Sequence, residues 1–209
     1  MIRFGIMIFD DVEELDTVGP YEVFGVARSM RPEMFDVVLL AADKDKPVKC
    51  VNGLRILPDF AFSEAPHIDV LIIPGGVGTR KVAKDQGALD WVRAVSAKAR
   101  VTASVCTGAR VTLASGLAHG RRITTHWGAI EEIRSDGRAA EVLDNVRFVR
   151  DGSIVHSAGV SAGIDMALWL VGQLADPTLA RDVQKMIEYQ PAPPYAFDDG
   201  DDAQSGRFA

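Results

Sequence analysis

Apolar residues in this chain fall into short, nearly unbroken runs separated by polar or glycine-containing punctuation. Residues 2–9 are almost wholly apolar and stop at Asp10-Asp11. The stretches 35–41 (FDVVLLA), 69–73 (DVLII) and 101–105 (VTASV) have the same character. Short apolar runs bounded by turn signals read as buried strands. Between them the pattern predicts helices over 20–29, 81–99, 107–115, 125–134, 164–174 and 177–188. Pro20 and Pro177 suit first helical positions, Asp176 suits a cap, and Gly116 suits a helix end. Asn52-Gly53 and Asp151-Gly152 are hairpin signals, because both residue types tolerate positive φ.

Strands that are apolar throughout, alternating with helices, predict a parallel sheet covered on both faces. The expected class is therefore α/β, a doubly wound, mostly parallel sheet. No internal repeat or interior linker breaks the pattern, so residues 1–197 read as one domain. The Asp/Gly-rich stretch 198–209 is expected to be a disordered acidic tail. The 209 residues are 47% hydrophobic and 25% charged, which supplies enough apolar material for a core. The net charge of −6 and the lack of a basic stripe argue against nucleic-acid binding. Acids interrupt the first apolar run and the later ones are short, so no membrane segment is expected and the expected location is cytoplasmic. Two cysteines, Cys50 and Cys106, are then expected to be free thiols.

Three strand ends carry unusual residues, and in open α/β sheets sites gather at such ends. The run into Cys106 is flanked by Ser104 and Gly108, small residues two positions either side. That spacing fits a nucleophile elbow, and the N-terminus of the next helix would favour a thiolate. The same letters also fit a buried cysteine packing as a small hydrophobe. Pro74-Gly75-Gly76-Val77-Gly78 comes after a strand and can expose backbone N–H donors, or can be a plain turn. It lacks the GxxxxGK[ST] phosphate pattern. Asp16 lies between Leu15 and Val18, where partial desolvation would raise its pKa and suit it to proton transfer; capping or solvation is the simpler use.

His126, beside Trp127, fits a base for Cys106, a helix cap or a packing partner. The remaining histidines show no metal-ligand spacing, so no metal is expected. Cys50 has no evident partner and reads as structural. Gly159-Val160-Ser161-Ala162-Gly163 matches GxSxG by letter, but no histidine comes after it, so Ser161 reads as a capping or packing residue.

Asp16, Pro74-Gly75-Gly76, Cys106-Thr107-Gly108, Thr125-His126-Trp127 and Ser161-Ala162-Gly163-Ile164-Asp165, in this order, resemble the DJ-1/PfpI superfamily. Leu15-Asp16 before Gly19-Pro20, Gly120-Arg121-Arg122, and Tyr189 with Pro191-Ala192-Pro193-Pro194 look most like its isocyanide hydratase branch. The resemblance spans residues 2–197. It implies a flavodoxin-like sandwich, a homodimer and a small-molecule substrate, with no cofactor. It also implies Cys106 as nucleophile and Asp16 as its carboxylate partner. Backbone N–H groups of Gly76 and Thr107 are candidates to hold an intermediate or water. Gly75, His126, Trp127 and Val160 are candidate pocket residues. Two other readings stay open. One is a ligand-sensing domain of the kind found in AraC-type regulators, for whose DNA-binding half the residues after 197 leave no room. The other is a different DJ-1-type activity, glyoxalase-like or thiol redox sensing.

Overall fold

A computed structural model describes residues 1–192; the tail expected over 198–209 lies outside the described residues. The elements run β1 (Ile2–Met7), α1 (Glu14–Met30), β2 (Phe35–Ala41), β3 (Val48–Lys49), β4 (Arg55–Ile56), β5 (Phe60–Ala61) and β6 (Val70–Ile73). Next come α2 (Thr79–Val82), α3 (Gln86–Ser96), β7 (Val101–Val105), α4 (Ala109–Ala114), β8 (Arg122–Ile123), α5 (Ile130–Asp136) and β9 (Glu141–Val142). The described chain closes with β10 (Phe148–Asp151), β11 (Ile154–Ser157), α6 (Ala162–Leu174) and α7 (Pro177–Met186).

The main sheet has the order β10-β11-β7-β6-β1-β2-β5. Every neighbouring pair in it is parallel except β10–β11, the hairpin signalled by Asp151-Gly152. Side chains of β1 alternate between two cores. Phe4 and Ile6 pack with Val23 and Phe24 of α1 and with Met166 and Leu170 of α6. Met7 points to the opposite face with Leu89 and Val92 of α3. The Phe4 and Phe24 rings stack at 3.8 Å. Burial on both faces explains why these strands are apolar throughout. None of the described helices is long and apolar enough to cross a membrane.

The helix expected over 125–134 runs over Ile130–Asp136, after a tight turn at Trp127–Ala129, and two other expected helices differ. The helix expected from Pro20 starts at Glu14, which places Pro20 at its seventh position. Proline there removes one backbone bond, but Val23, Phe24 and Ala27 are fully buried against the sheet, and that packing carries the helix through. The consequence is functional, because Asp16 becomes a first-turn residue rather than a loop residue. The helix expected over 81–99 is two, since Asp85 interrupts it and accepts a hydrogen bond from the Ala88 N–H at 3.1 Å as the cap of α3.

From β1 the chain moves outward to β2, then returns on the other side to β6. This reversal puts the crevice at the carboxyl ends of β1, β6 and β7. The glycines after β6 and Cys106 after β7 both open onto it.

Candidate active site

Cys106 ends β7 in a left-handed conformation, φ 57°, which is costly for a side chain other than glycine. Two bonds hold it there. Its N–H donates to the Ala158 carbonyl at 2.9 Å, and its own carbonyl accepts the buried Thr125 hydroxyl at 2.9 Å. Two residues on, a methyl group at Gly108 would lie 2.1 Å from the Ile73 carbonyl oxygen. The elbow therefore presses against the end of β6, and only glycine fits. Ser104, on the other side, is fully buried, and its register partner on β11 is His156.

Asp16 is fully buried. Its Oδ2 accepts the Gly75 N–H at 2.8 Å, while Oδ1 has no hydrogen-bond partner among the described residues. A methyl group at Gly75 would lie 2.6 Å from Thr107 N, 2.7 Å from Asp16 Oδ2 and 2.8 Å from Cys106 Cβ. The missing side chain of Gly75 is thus the space in which Asp16 and Cys106 approach each other.

Burial dominates the electrostatics of this pair. Desolvation pushes the Asp16 carboxyl up from 3.8 to about 7, aided by the nearby charge of Glu13 and opposed by the Gly75 N–H. Desolvation also pushes the Cys106 thiol up to about 12, and the Asp16 charge adds to the shift. Desolvation works against the thiolate expected from a helix N-terminus. Cys106 leads into a single tight turn over Cys106–Gly108 and a six-residue helix, and their pull is smaller than the cost of burying the charge. Burial thus disfavours charge on both members of the pair. Cys50 is also buried and is pushed up to about 11, by desolvation first and then by the charges of Glu14, Glu13 and Asp10.

The backbone donors differ from expectation in one member. The N–H groups of Thr107 and Val160 both favour a negative charge on Cys106, and that of Val160 also favours one on Asp16. Gly76 does not supply a donor, because its N–H is given to the Thr107 hydroxyl at 2.9 Å. Its role is conformational: φ is 114°, and a methyl group there would meet the Asp11 carbonyl at 2.4 Å. Val160, at φ 47°, is the residue whose N–H acts on both members of the pair.

Cys106 opens into a cavity of about 180 Å³ that Glu13, Val77, Arg80, His126 and Val160 help to line. Sequence does not single out Glu13, Val77 or Arg80, since an exposed acid, a valine and an arginine on a short helix carry no pattern. His126 reaches this cavity, but its Nδ1 accepts the Gly128 N–H at 3.1 Å. The neutral ring then carries its proton at Nε2 and acts as a donor, not a base. Trp127 does not line the Cys106 cavity. It is 80% exposed and borders an adjoining cleft that shares His126 and Val160 with the cavity. Gly75 is not a wall residue, but lies between the acid and the cysteine.

The sequence pattern of the DJ-1/PfpI family matches residues 3–173. The chain belongs to the DJ-1/PfpI family. It is 38% identical over 205 residues to the isonitrile hydratase of Pseudomonas putida, covering 98% of this chain and 86% of that one. It is 28% identical to the HTH-type transcriptional regulator CdhR of Pseudomonas aeruginosa over 88% of this chain and 54% of that one. Among solved structures, a ThiJ/PfpI family protein from Pseudomonas syringae superposes with a TM-score of 0.84 at 32% identity, over 93% of this chain and 77% of that one. The mostly parallel sheet and its flanking helices are thus a DJ-1/PfpI fold, as the motif order implied.

Proposed function

We propose that this chain hydrates isocyanides, R–N≡C, to N-substituted formamides, with Cys106 as nucleophile and Asp16 as proton carrier. The observation that carries the reading is the buried Asp16–Cys106 pair built around Gly75, in which the acid titrates near neutrality. The likeness to an isonitrile hydratase supports it. A site in which burial disfavours charge on both acid and thiol suits an uncharged substrate, whose entry desolvates no ion.

Asp16 accepts the thiol proton as sulfur bonds to the terminal carbon of the isocyanide. It then delivers that proton to the same carbon, giving the thioimidate R–N=CH–S–Cys106. Water adds to this carbon and gives up one proton to Asp16, which passes it to the substrate nitrogen. The C–S bond then breaks as the hydroxyl proton passes to Asp16 and the carbonyl forms, and sulfur leaves with its electron pair and takes that proton from Asp16. The sum is one isocyanide plus one water giving R–NH–CHO, with no oxidant, reductant or cofactor required. The N–H groups of Thr107 and Val160 stabilise sulfur while it carries charge. Asp16 near 7 is matched to both directions of proton transfer.

The second copy of an expected homodimer would cover Leu15 and Val18 on α1 and Val51 and Leu54 on the β3–β4 hairpin, all exposed apolar side chains. The hairpin is tied to α1 by the Asn52 N–H, which donates to Glu14 Oε1 at 2.7 Å.

The test is the purified chain with methyl isocyanide and with an aryl isocyanide, followed for the formamide by NMR. Turnover is expected in the wild type and not in Cys106→Ala. Formamide production surviving in Cys106→Ala overturns the mechanism. The likeness to a regulator favours one second reading, a domain that binds a small molecule without converting it. Saturable binding of isocyanide with no formamide would select that reading.

A further inference from the structure

The cavity over Cys106 is small. Its volume of about 180 Å³ falls below the range of roughly 300–1,000 Å³ common for ligand sites. Beside it lies a cleft of about 700 Å³. The two share His126 and Val160 in their linings. The His126 ring rests directly on Gly159, where a methyl group would come within 2.4 Å of Cδ2. The cleft also holds Trp127, whose ring lies 5.4 Å from the His126 ring and is 80% exposed. A tryptophan left this open beside a reactive cavity is an aromatic platform without a covering group. Ile130 and Val146 continue its apolar lining. The cation on this rim, Arg147, is committed to Asp165, with Nε 2.6 Å from Oδ2, and is not set to receive an anionic substituent.

We infer that this cleft receives the nitrogen substituent of the substrate, held on Trp127, and that it favours flat aromatic groups. The inference rests on the isocyanide reading of Cys106. The reacting carbon would sit in the small cavity, with nitrogen directed past His126 and Val160 and the substituent in the cleft.

The experiment compares 2-naphthyl isocyanide with methyl isocyanide in the wild type, Trp127→Ala and Trp127→Phe. Aromatic contacts of this kind predict that the naphthyl-to-methyl ratio of kcat/KM falls about 2- to 10-fold in Trp127→Ala and is largely kept in Trp127→Phe. Trp127 is exposed, so its replacement leaves the core intact. Titration calorimetry with N-(2-naphthyl)formamide reads the cleft without turnover, and the same weakening is expected there. An unchanged ratio overturns the assignment. So does a naphthylformamide that fails to bind the wild type, or that binds Trp127→Ala equally well. If the wild type hydrates neither isocyanide, the reading of Cys106 fails, and the calorimetry still decides for or against the cleft.

Discussion

Asp16 Oδ2 and Cys106 Cβ both lie within 2.8 Å of the point where a methyl group on Gly75 would sit. Acid and thiol come from elements far apart in sequence, the first turn of α1 and the end of β7. A glycine after β6, the strand between β1 and β7, lets them approach. The proposed chemistry therefore depends on an atom group that is missing.

Gly75→Ala should remove that space. The added methyl would overlap Thr107 N, Asp16 and Cys106 at once, and two of these are held by backbone. Overpacking of this kind costs about 1–3 kcal/mol. Misplacement of the pair should lower kcat on the order of 100-fold. Chemical denaturation and steady-state kinetics on the same preparation check both figures. Wild-type turnover in Gly75→Ala would show that the close approach is unnecessary.

Asp16→Asn separates the acid's chemistry from its shape. Loss of proton transfer should lower kcat/KM about 10²- to 10⁴-fold and abolish a rise in activity through pH 7. Stability should move the other way. Asp16 holds its proton up to about 7 in the fold but only to 3.8 when unfolded. Its contribution is thus present below 3.8 and lost as pH rises towards 7. Above pH 7 the variant should be more stable than the wild type, by on the order of 1–4 kcal/mol. Urea melts at pH 8 test this, and a less stable Asp16→Asn would refute the burial cost assigned to the acid.

His156 should produce the opposite slope. It is fully buried, and desolvation holds it down from 6.5 to about 3. The Thr112 hydroxyl donates to the Ala109 carbonyl, so it accepts from His156 Nε2 at 2.9 Å and the ring stays neutral. The unfolded chain takes up a proton below 6.5 that the buried ring refuses, so stability is lost as pH falls from 6.5 towards 3. His156→Gln should flatten the acid limb of the stability profile. Between 3.8 and 6.5 the Asp16 and His156 slopes oppose each other, and only the two variants resolve them. An acid limb equally steep in His156→Gln would assign it elsewhere.

Thr125→Val removes the hydroxyl that holds the Cys106 carbonyl at 2.9 Å. A buried carbonyl losing its partner costs about 1–3 kcal/mol. Relaxation of the left-handed turn should lower kcat more than it raises KM. Thr125→Ser, which keeps the hydroxyl, should restore most of the rate. Equal kinetics in the valine and serine variants would remove Thr125 from the positioning of Cys106.

The sheet is legible in the sequence because its strands are buried on both faces and read as unbroken apolar runs. Cys106 is legible because a strand, a nucleophile and small neighbours stand within five residues. The start of α1 is not, since Pro20 carries a stronger local start signal than Glu14, and only packing of Val23 and Phe24 overrides it. The engagement of the Gly76 N–H is hidden for a similar reason. Which N–H is engaged depends on where the Thr107 hydroxyl points, a distance in space that spacing along the chain does not encode. His156 carries no signal of its own, because a histidine inside an apolar strand gives no sign of the threonine on α4 that meets it.

The contact of Gly108 with the Ile73 carbonyl leaves no hinge between the reactive residue and the sheet. Loops that carry chemistry usually loosen before their scaffold, so that activity fades ahead of unfolding. Here the elbow is clamped between two central strands. Heat inactivation should therefore share one midpoint with the melting of the sheet.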